Sequence, residues 1–326
     1  MRLSEEGRAA GEPGAASLVG RAAAAALFAF NFKEATLRRM RAGKSFAPRS
    51  MTRPNPPAWM AKRFEIRSSL IERRAVFAVS PRGLEAGRRS RSEAPDEPAE
   101  SPLVLFLHGG AFSVTFSPQH WRFIAWLAES ARTTVFAPDY PLSPEAGWRE
   151  TLSMTRLAYM EALAEAGGRE VAVIGDSAGG GLALALAQSL RQDGLPQPSR
   201  LILISPWLDV SMGNPEISAV EPLDPVLSAE ALRLAGLRYA GGDDPADSRL
   251  SPLYGDLSGL APITLFTGTA DILNPDARRL RDVMRAQGSP LDYREYPGMI
   301  HDWLFFSFPE AARAKREILS AGSWQE

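Results

Sequence analysis

From residue 64 onward, short β-branched or apolar runs alternate with longer stretches of helical period, and this alternation constrains the fold more than anything else in the chain. Strands are expected over 64–69, 74–79, 103–107, 133–137, 170–174, 201–205, 262–267 and 290–296. Helices are expected over 119–131, 150–166, 178–192, 228–240 and 275–287, with a last one near 309–320. Inner runs such as LVLFL at 103–107 and LILIS at 201–205 show no alternation of polar and apolar residues. A strand of that kind hides both faces, the condition of a parallel sheet between two helix layers. Alternating β and α elements therefore imply an α/β fold with a mostly parallel eight-stranded sheet and helices on both faces.

Two stretches interrupt the rhythm. Residues 1–60 read as helix followed by a connector holding Pro48, Pro54, Pro56 and Pro57, because proline fixes φ and removes a backbone donor. Residues 206–255 carry Pro206, Pro215, Pro222, Pro225, Gly241, Gly242 and Pro245 around one helical stretch. The expected organisation is an N-terminal helical segment (1–60) and a main domain (61–326) with an insertion at about 206–255 that packs against that segment. Residues 80–101, with Arg82, Arg88, Arg89 and Arg91 followed by EAPDEPAE, lack any period and read as an exposed, mobile loop.

Composition narrows the chemistry. The 326 residues contain no cysteine, which excludes disulfides, thiolate metal sites, iron–sulfur clusters and a cysteine nucleophile. Three histidines do not suggest a histidine-rich metal centre, so neither metal nor cofactor is expected. A formal charge of −1 gives no global drive toward nucleic acid or an anionic membrane. Between Lys33 and Arg53 seven cations face only Glu34; the plain reading is a solvated helix face, with lipid contact as the alternative. The apolar run Ala22–Phe30 is too short to span a bilayer, and Glu5, Glu6 and Glu12 stand where a signal peptide needs positive charge, so a cytoplasmic location is expected.

The strongest local signal is Gly175-Asp176-Ser177-Ala178-Gly179, followed by Gly180 and Gly181. A bare G-x-S-x-G is weak, but this one begins where the strand over 170–174 ends and runs directly into the helix LALALAQSL. Such a turn needs glycines two before and two after the serine so that no Cβ collides with neighbouring elements. It lifts the Ser177 hydroxyl above the sheet and puts the Ala178 N–H at a helix N-terminus, where a developing oxyanion is stabilised. A serine nucleophile needs a base, usually histidine oriented by a carboxylate. On this topology both follow the serine in sequence. Of His108, His120 and His301, only His301 does, in a loop past the last strand. Asp271 is the first carboxylate after strand 262–267; Asp276 lies on the next helix, where a salt bridge or helix-start role is the better reading. The loop after strand 103–107 begins His108-Gly109-Gly110, and the two glycines let the backbone present N–H groups to a substrate oxygen. His108 reads as a loop tie, and Asp176 as a support of the same loop.

The motifs His108-Gly-Gly-Ala-Phe112, Asp139-Tyr-Pro-Leu-Ser-Pro-Glu145 and Gly175-Asp-Ser-Ala-Gly-Gly180 resemble those of the hormone-sensitive-lipase-like family of α/β hydrolases. Ser205-Pro-Trp207, Ser251-Pro-Leu253, Gly268-Thr-Ala-Asp271 and His301-Asp302 follow in matching order. The resemblance implies an α/β-hydrolase fold with a helical cap from the N-terminal segment and the insertion, and a serine carboxylesterase acting on short- to medium-chain acyl esters. Carried onto this chain, it makes Ser177, His301 and Asp271 the catalytic residues and the Gly109, Gly110 and Ala178 N–H groups the oxyanion hole. Two departures stand out. Pro141 occupies the position where the family usually has arginine after Asp-Tyr, so the guanidinium's packing must be rebuilt, and Ala111 replaces a third glycine. Phe28, Phe30, Phe32 and Trp59, with Trp207, Leu208, Met212 and Leu223, are candidates for an apolar pocket or for ordinary packing. An amidase, lactonase or deacetylase would use the same triad, and an idle receptor would have lost the histidine or the acid. The expected partner is a small-molecule ester; a homodimer is compatible with the sequence.

Overall fold

The computed structural model describes residues 16–84 and 101–324; the connector expected over 80–101 falls, from 85 to 100, outside them. All eight strands form: β1 (Phe64–Ile71), β2 (Arg74–Pro81), β3 (Leu103–Leu107), β4 (Val135–Pro138), β5 (Val171–Asp176), β6 (Arg200–Ile204), β7 (Ile263–Gly268) and β8 (Leu291–Tyr296). They make one sheet in the order β1-β2-β4-β3-β5-β6-β7-β8. β1 and β2 form a hairpin turning at Glu72 and Arg73, both at positive φ, and β2 meets β4 antiparallel; every later pairing is parallel. β4 starts two residues later than expected; Thr133 and Thr134 lead into it, their hydroxyls hydrogen-bonded with Pro102 O (2.7 Å) and Ser80 Oγ (2.9 Å).

The helices of the described residues are α1 (Leu18–Ala29), α2 (Phe32–Arg41), α3 (Pro118–Ser130), α4 (Trp148–Ala166), α5 (Ala178–Gln192), the single turn α6 (Ile217–Val220), α7 (Ala229–Ala240), α8 (Asn274–Ala286) and α9 (Pro309–Ala321). Strand residues alternate between two cores. Leu103, Leu105 and Leu107 of β3 face the side covered by α4, α5 and α8, while Val104 and Phe106 face α3 and α9. Each face of β3 is fully buried, which is why its sequence shows no polar alternation. No helix among the described residues is long and apolar enough to cross a membrane.

Residues 1–60 and 206–255 touch through α2 and α7. Arg41 holds Glu230 with two hydrogen bonds of 2.7 and 2.6 Å, and Arg238 donates to Met40 O (2.6 Å) and Lys44 O (2.7 Å), capping the end of α2. Lys33 donates to Glu221 O at 2.6 Å, and Arg38 pairs with Glu34. Five of the seven cations of this stretch are thus engaged with the protein's own groups, Arg39 among them through Ser45 and Arg53 through the carbonyls of Ser50 and Thr52. Of the apolar pocket candidates, Trp207, Leu208 and Met212 are buried, but Phe30 is 82 % and Leu223 56 % exposed. Phe30 faces outward because Asn31, in the left-handed conformation, turns the chain sharply between α1 and α2.

Candidate active site

The site lies at the C-terminal edge of the parallel strands, where β5, β7 and β8 each end in a loop carrying one polar side chain. Ser177 follows β5 at φ 50° and ψ −119°, a backbone that no regular element provides. Neighbours hold it there: its N–H donates to Ile204 O (2.8 Å), and its carbonyl accepts from Gly180, Gly181 and Trp207. The flanking glycines are required by space. A Cβ on Gly175 would lie 2.2 Å from Gly179 O, and one on Gly179 would lie 2.0 Å from Leu107 O.

The structure brings Ser177, His301 and Asp271 together. His301 Nε2 is 3.0 Å from Ser177 Oγ, and its Nδ1 is 2.9 Å from Asp271 Oδ2. A carboxylate only accepts, so the Nδ1 proton points at Asp271 and leaves Nε2 for the hydroxyl. The loops bearing Asp271 and His301 are stitched together: Ala270 N–H donates to Met299 O (2.9 Å) and Gly298 N–H to Thr269 Oγ1 (2.7 Å). Asp271 itself is fully buried and accepts the N–H of Leu273.

Gly109 and Gly110 pass beside Ser177, so close that a Cβ on Gly109 would lie 3.0 Å from Ser177 Cβ. Among the described residues no acceptor takes the N–H of Gly109, Gly110 or Ala178. His108 ties this loop, its Nδ1 2.7 Å from Gly109 O and its ring stacked on Tyr140 at 4.2 Å. Burial first, and His120 second, push His108 down to about 3, so it stays neutral. Asp176 supports the loop from below and shares a 3.2 Å contact with His120 Nε2. His120 Nδ1 accepts the Ser117 N–H at 3.0 Å, which puts the ring proton on Nε2 toward Asp176.

Sequence reasoning left four contributors unassigned. Arg74, from β2, donates to Asp139 O (2.8 Å) and Tyr140 O (3.1 Å) and lies 3.1 Å from the Asp139 carboxylate. A guanidinium from another strand thus stands where the Asp-Tyr-Pro segment has none of its own. Asp224, in the insertion, accepts the N–H of Ile272 beside the acid. His120 pairs with Asp176, and Asp302 reaches the base. Only Asp302, adjacent to His301, had a visible signal; the other three are brought in by distant elements. Asp276 does sit in the first turn of α8, but it is buried and accepts from Asn214 Nδ2 (2.8 Å), with no salt bridge among the described residues.

A serine raised on a strand–helix turn, next to an imidazole held by a carboxylate and over a parallel sheet wrapped in helices, defines an α/β-type hydrolase. The chain belongs to the alpha/beta hydrolase fold family, whose profile matches residues 104–305. It is similar to an acetyl-hydrolase of Streptomyces hygroscopicus, 34 % identical over 224 residues that cover 68 % of this chain and 74 % of the relative. An esterase of Acinetobacter venetianus is 33 % identical over 231 residues, 69 % of this chain and 76 % of the relative. A solved hormone-sensitive lipase from a metagenome library superposes with a TM-score of 0.75 at 26 % identity, covering 93 % of this chain and 98 % of that one. Within the family the chain falls in the hormone-sensitive-lipase-like branch.

Proposed function

We propose that this protein is a serine carboxylesterase cleaving short- to medium-chain acyl esters through an acyl-enzyme. Ser177 Oγ attacks the ester carbonyl while His301 Nε2 takes the hydroxyl proton, and Asp271 holds the imidazole and stabilises its charge. The carbonyl oxygen, now an oxyanion, is held by the N–H groups of Gly109, Gly110 and Ala178. Each donor of this kind is typically worth ~10²–10³ in rate. His301 gives its proton to the leaving alcohol, and a water activated by the same nitrogen then releases the acid and restores Ser177.

The single observation that carries the reading is the unbroken line from Asp271 Oδ2 through both ring nitrogens of His301 to Ser177 Oγ, at 2.9 and 3.0 Å. The acetyl-hydrolase and esterase names of the relatives support short acyl groups. The contacts between α2 and α7 support a cap built from residues 1–60 and 206–255. The test is hydrolysis of p-nitrophenyl acetate, butyrate and decanoate by the native chain and by Ser177→Ala. Loss of activity by about four orders of magnitude or more, with folding intact, is expected. Retention of more than a few per cent would sink the assignment, and a preference for decanoate would overturn the chain-length reading.

A further inference from the structure

His301 has a second carboxylate on the wrong side. Asp302 Oδ2 lies 3.1 Å from His301 Nε2, the nitrogen that also faces Ser177. Asp302 takes the left-handed conformation (φ 52°, ψ 31°) and its N–H donates to Ser205 Oγ at 3.3 Å, so the side chain is aimed by its backbone. Its other oxygen, Oδ1, is buried without a protein partner.

Resting on the esterase reading, we propose that Asp302 grips the imidazolium of His301 from the Nε2 side and so sets the pH above which the catalytic base is free. With the ring proton on Nδ1, the Nε2 lone pair would point at a carboxylate oxygen within hydrogen-bond distance. Two acceptors that close need a proton between them. The groups turned toward this pair are Asp271 from the loop after β7, Asp224 from the insertion, Asp176 from the end of β5 and His120 from α3. All but His120 are carboxylates, so the surroundings favour a protonated ring. Burial works against a charged imidazole here, but Asp302 and then Asp271 outweigh it and hold His301 well above the ordinary histidine value. Asp302 is itself pushed up to about 6 by burial, against the pull of His301. Asp302 thereby strengthens the base and stabilises the imidazolium that forms during attack, while it keeps the enzyme idle at acid pH. It acts through His301 and needs no contact with substrate.

The test is a ¹³C-histidine NMR titration of the full chain, whose three histidines give three resonances, with His301 assigned by its loss in His301→Gln. Asp302→Asn removes the charge and keeps the shape, and asparagine tolerates the left-handed conformation. The expected result is a His301 midpoint lower by about one pH unit or more, the effect of losing a close opposite charge. The acid limb of kcat/KM on p-nitrophenyl acetate should move down with it, while the high-pH plateau falls. An unmoved His301 midpoint overturns the proposal. If Asp302→Asn does not fold, Asp302→Ser takes its place in the same titration: a midpoint lowered by about one pH unit supports the grip, and an unmoved midpoint, or a native midpoint at or below ~6.5, overturns it. The failure of the esterase reading is separate, since it shows as activity retained by Ser177→Ala whatever the titration gives.

Discussion

The carboxylate of Asp224 accepts the backbone N–H of Ile272 at 3.0 Å, so a residue of the insertion holds the loop that carries Asp271. Its other oxygen accepts from Val226 (2.7 Å) and Leu227 (2.9 Å) in its own loop. The 206–255 stretch is therefore part of the scaffold that places Asp271 beside His301, and the local geometry depends on it.

Asp224→Ala leaves up to three backbone N–H groups without their acceptor. At about 1–3 kcal/mol for each buried unsatisfied donor, a total loss of about 3 kcal/mol or more is expected, read as a lower urea midpoint. The acid loop is freed at the same time, so kcat should fall about tenfold or more, because small misplacements near the chemistry are costly. An unchanged kcat with lowered stability would show that the insertion does not position Asp271.

Asp271→Asn and Asp276→Asn should separate cleanly. The first leaves His301 with an amide that cannot serve as its anionic acceptor, and a drop in kcat of about 10⁴ is expected. The second removes a carboxylate bonded to Asn214 and not to His301, and should leave kcat within a few-fold.

Stability against pH gives Asp276 a signature of its own. Burial, the largest influence, pushes its carboxyl up to about 6, above the ~3.9 of an unfolded aspartate. A raised acid stabilises the fold below the unfolded value and loses that contribution as pH rises through the folded one. Native protein should therefore lose about 2–3 kcal/mol from this group between about pH 4 and 7. Asp276→Asn should escape that loss and unfold at higher urea than the native chain at pH 7. Parallel curves for the two proteins across this range would contradict the assignment.

Gly109→Ala forces a Cβ to within 2.2 Å of Asp176 Oδ2. Asp176 is fully buried under the loop, so the loop must lift. Losing the alignment of one N–H donor should lower kcat about 10²-fold or more, with KM for p-nitrophenyl acetate little changed. Equal losses at Gly147→Ala, where the backbone is extended (φ −107°) and no atom lies closer than 3.5 Å to the added Cβ, would point to a nonspecific effect.

Arg74→Ala strips the guanidinium from Asp139 O, Tyr140 O and the Asp139 carboxylate. Tyr140 also donates its hydroxyl to His108 O, so the segment after β4 is tied directly to the oxyanion loop. About 1–3 kcal/mol of stability should be lost, discounted because Arg74 is partly exposed, and kcat should drop with it. Arg74→Lys should restore only part of the loss, since an ammonium cannot reproduce the planar fork.

Much of this was legible before any tertiary information. The inner strands could be read because burial on both faces leaves a local mark, an uninterrupted apolar run bounded by turn residues, whereas the edge strands β1 and β8 mix buried and exposed residues. Ser177 could be read because a strand turning straight into a helix demands glycines at fixed offsets. His301 and Asp271 could be named as candidates from chain order alone. By itself, then, the sequence determined the α/β alternation, the serine turn and a short list of partners, since all are properties of neighbouring residues or of their order. Tertiary structure alone decided that Arg74 of β2 supplies the guanidinium missing after Tyr140, that Asp224 grips the acid loop 48 residues away, that Phe30 and Leu223 face water, and that Asp302 turns onto Nε2 and not outward. Those outcomes depend on the register of distant elements and on single left-handed residues, and neither leaves a periodic trace in the chain, because hydrophobic pattern records how deeply a residue is buried but not which partner it meets.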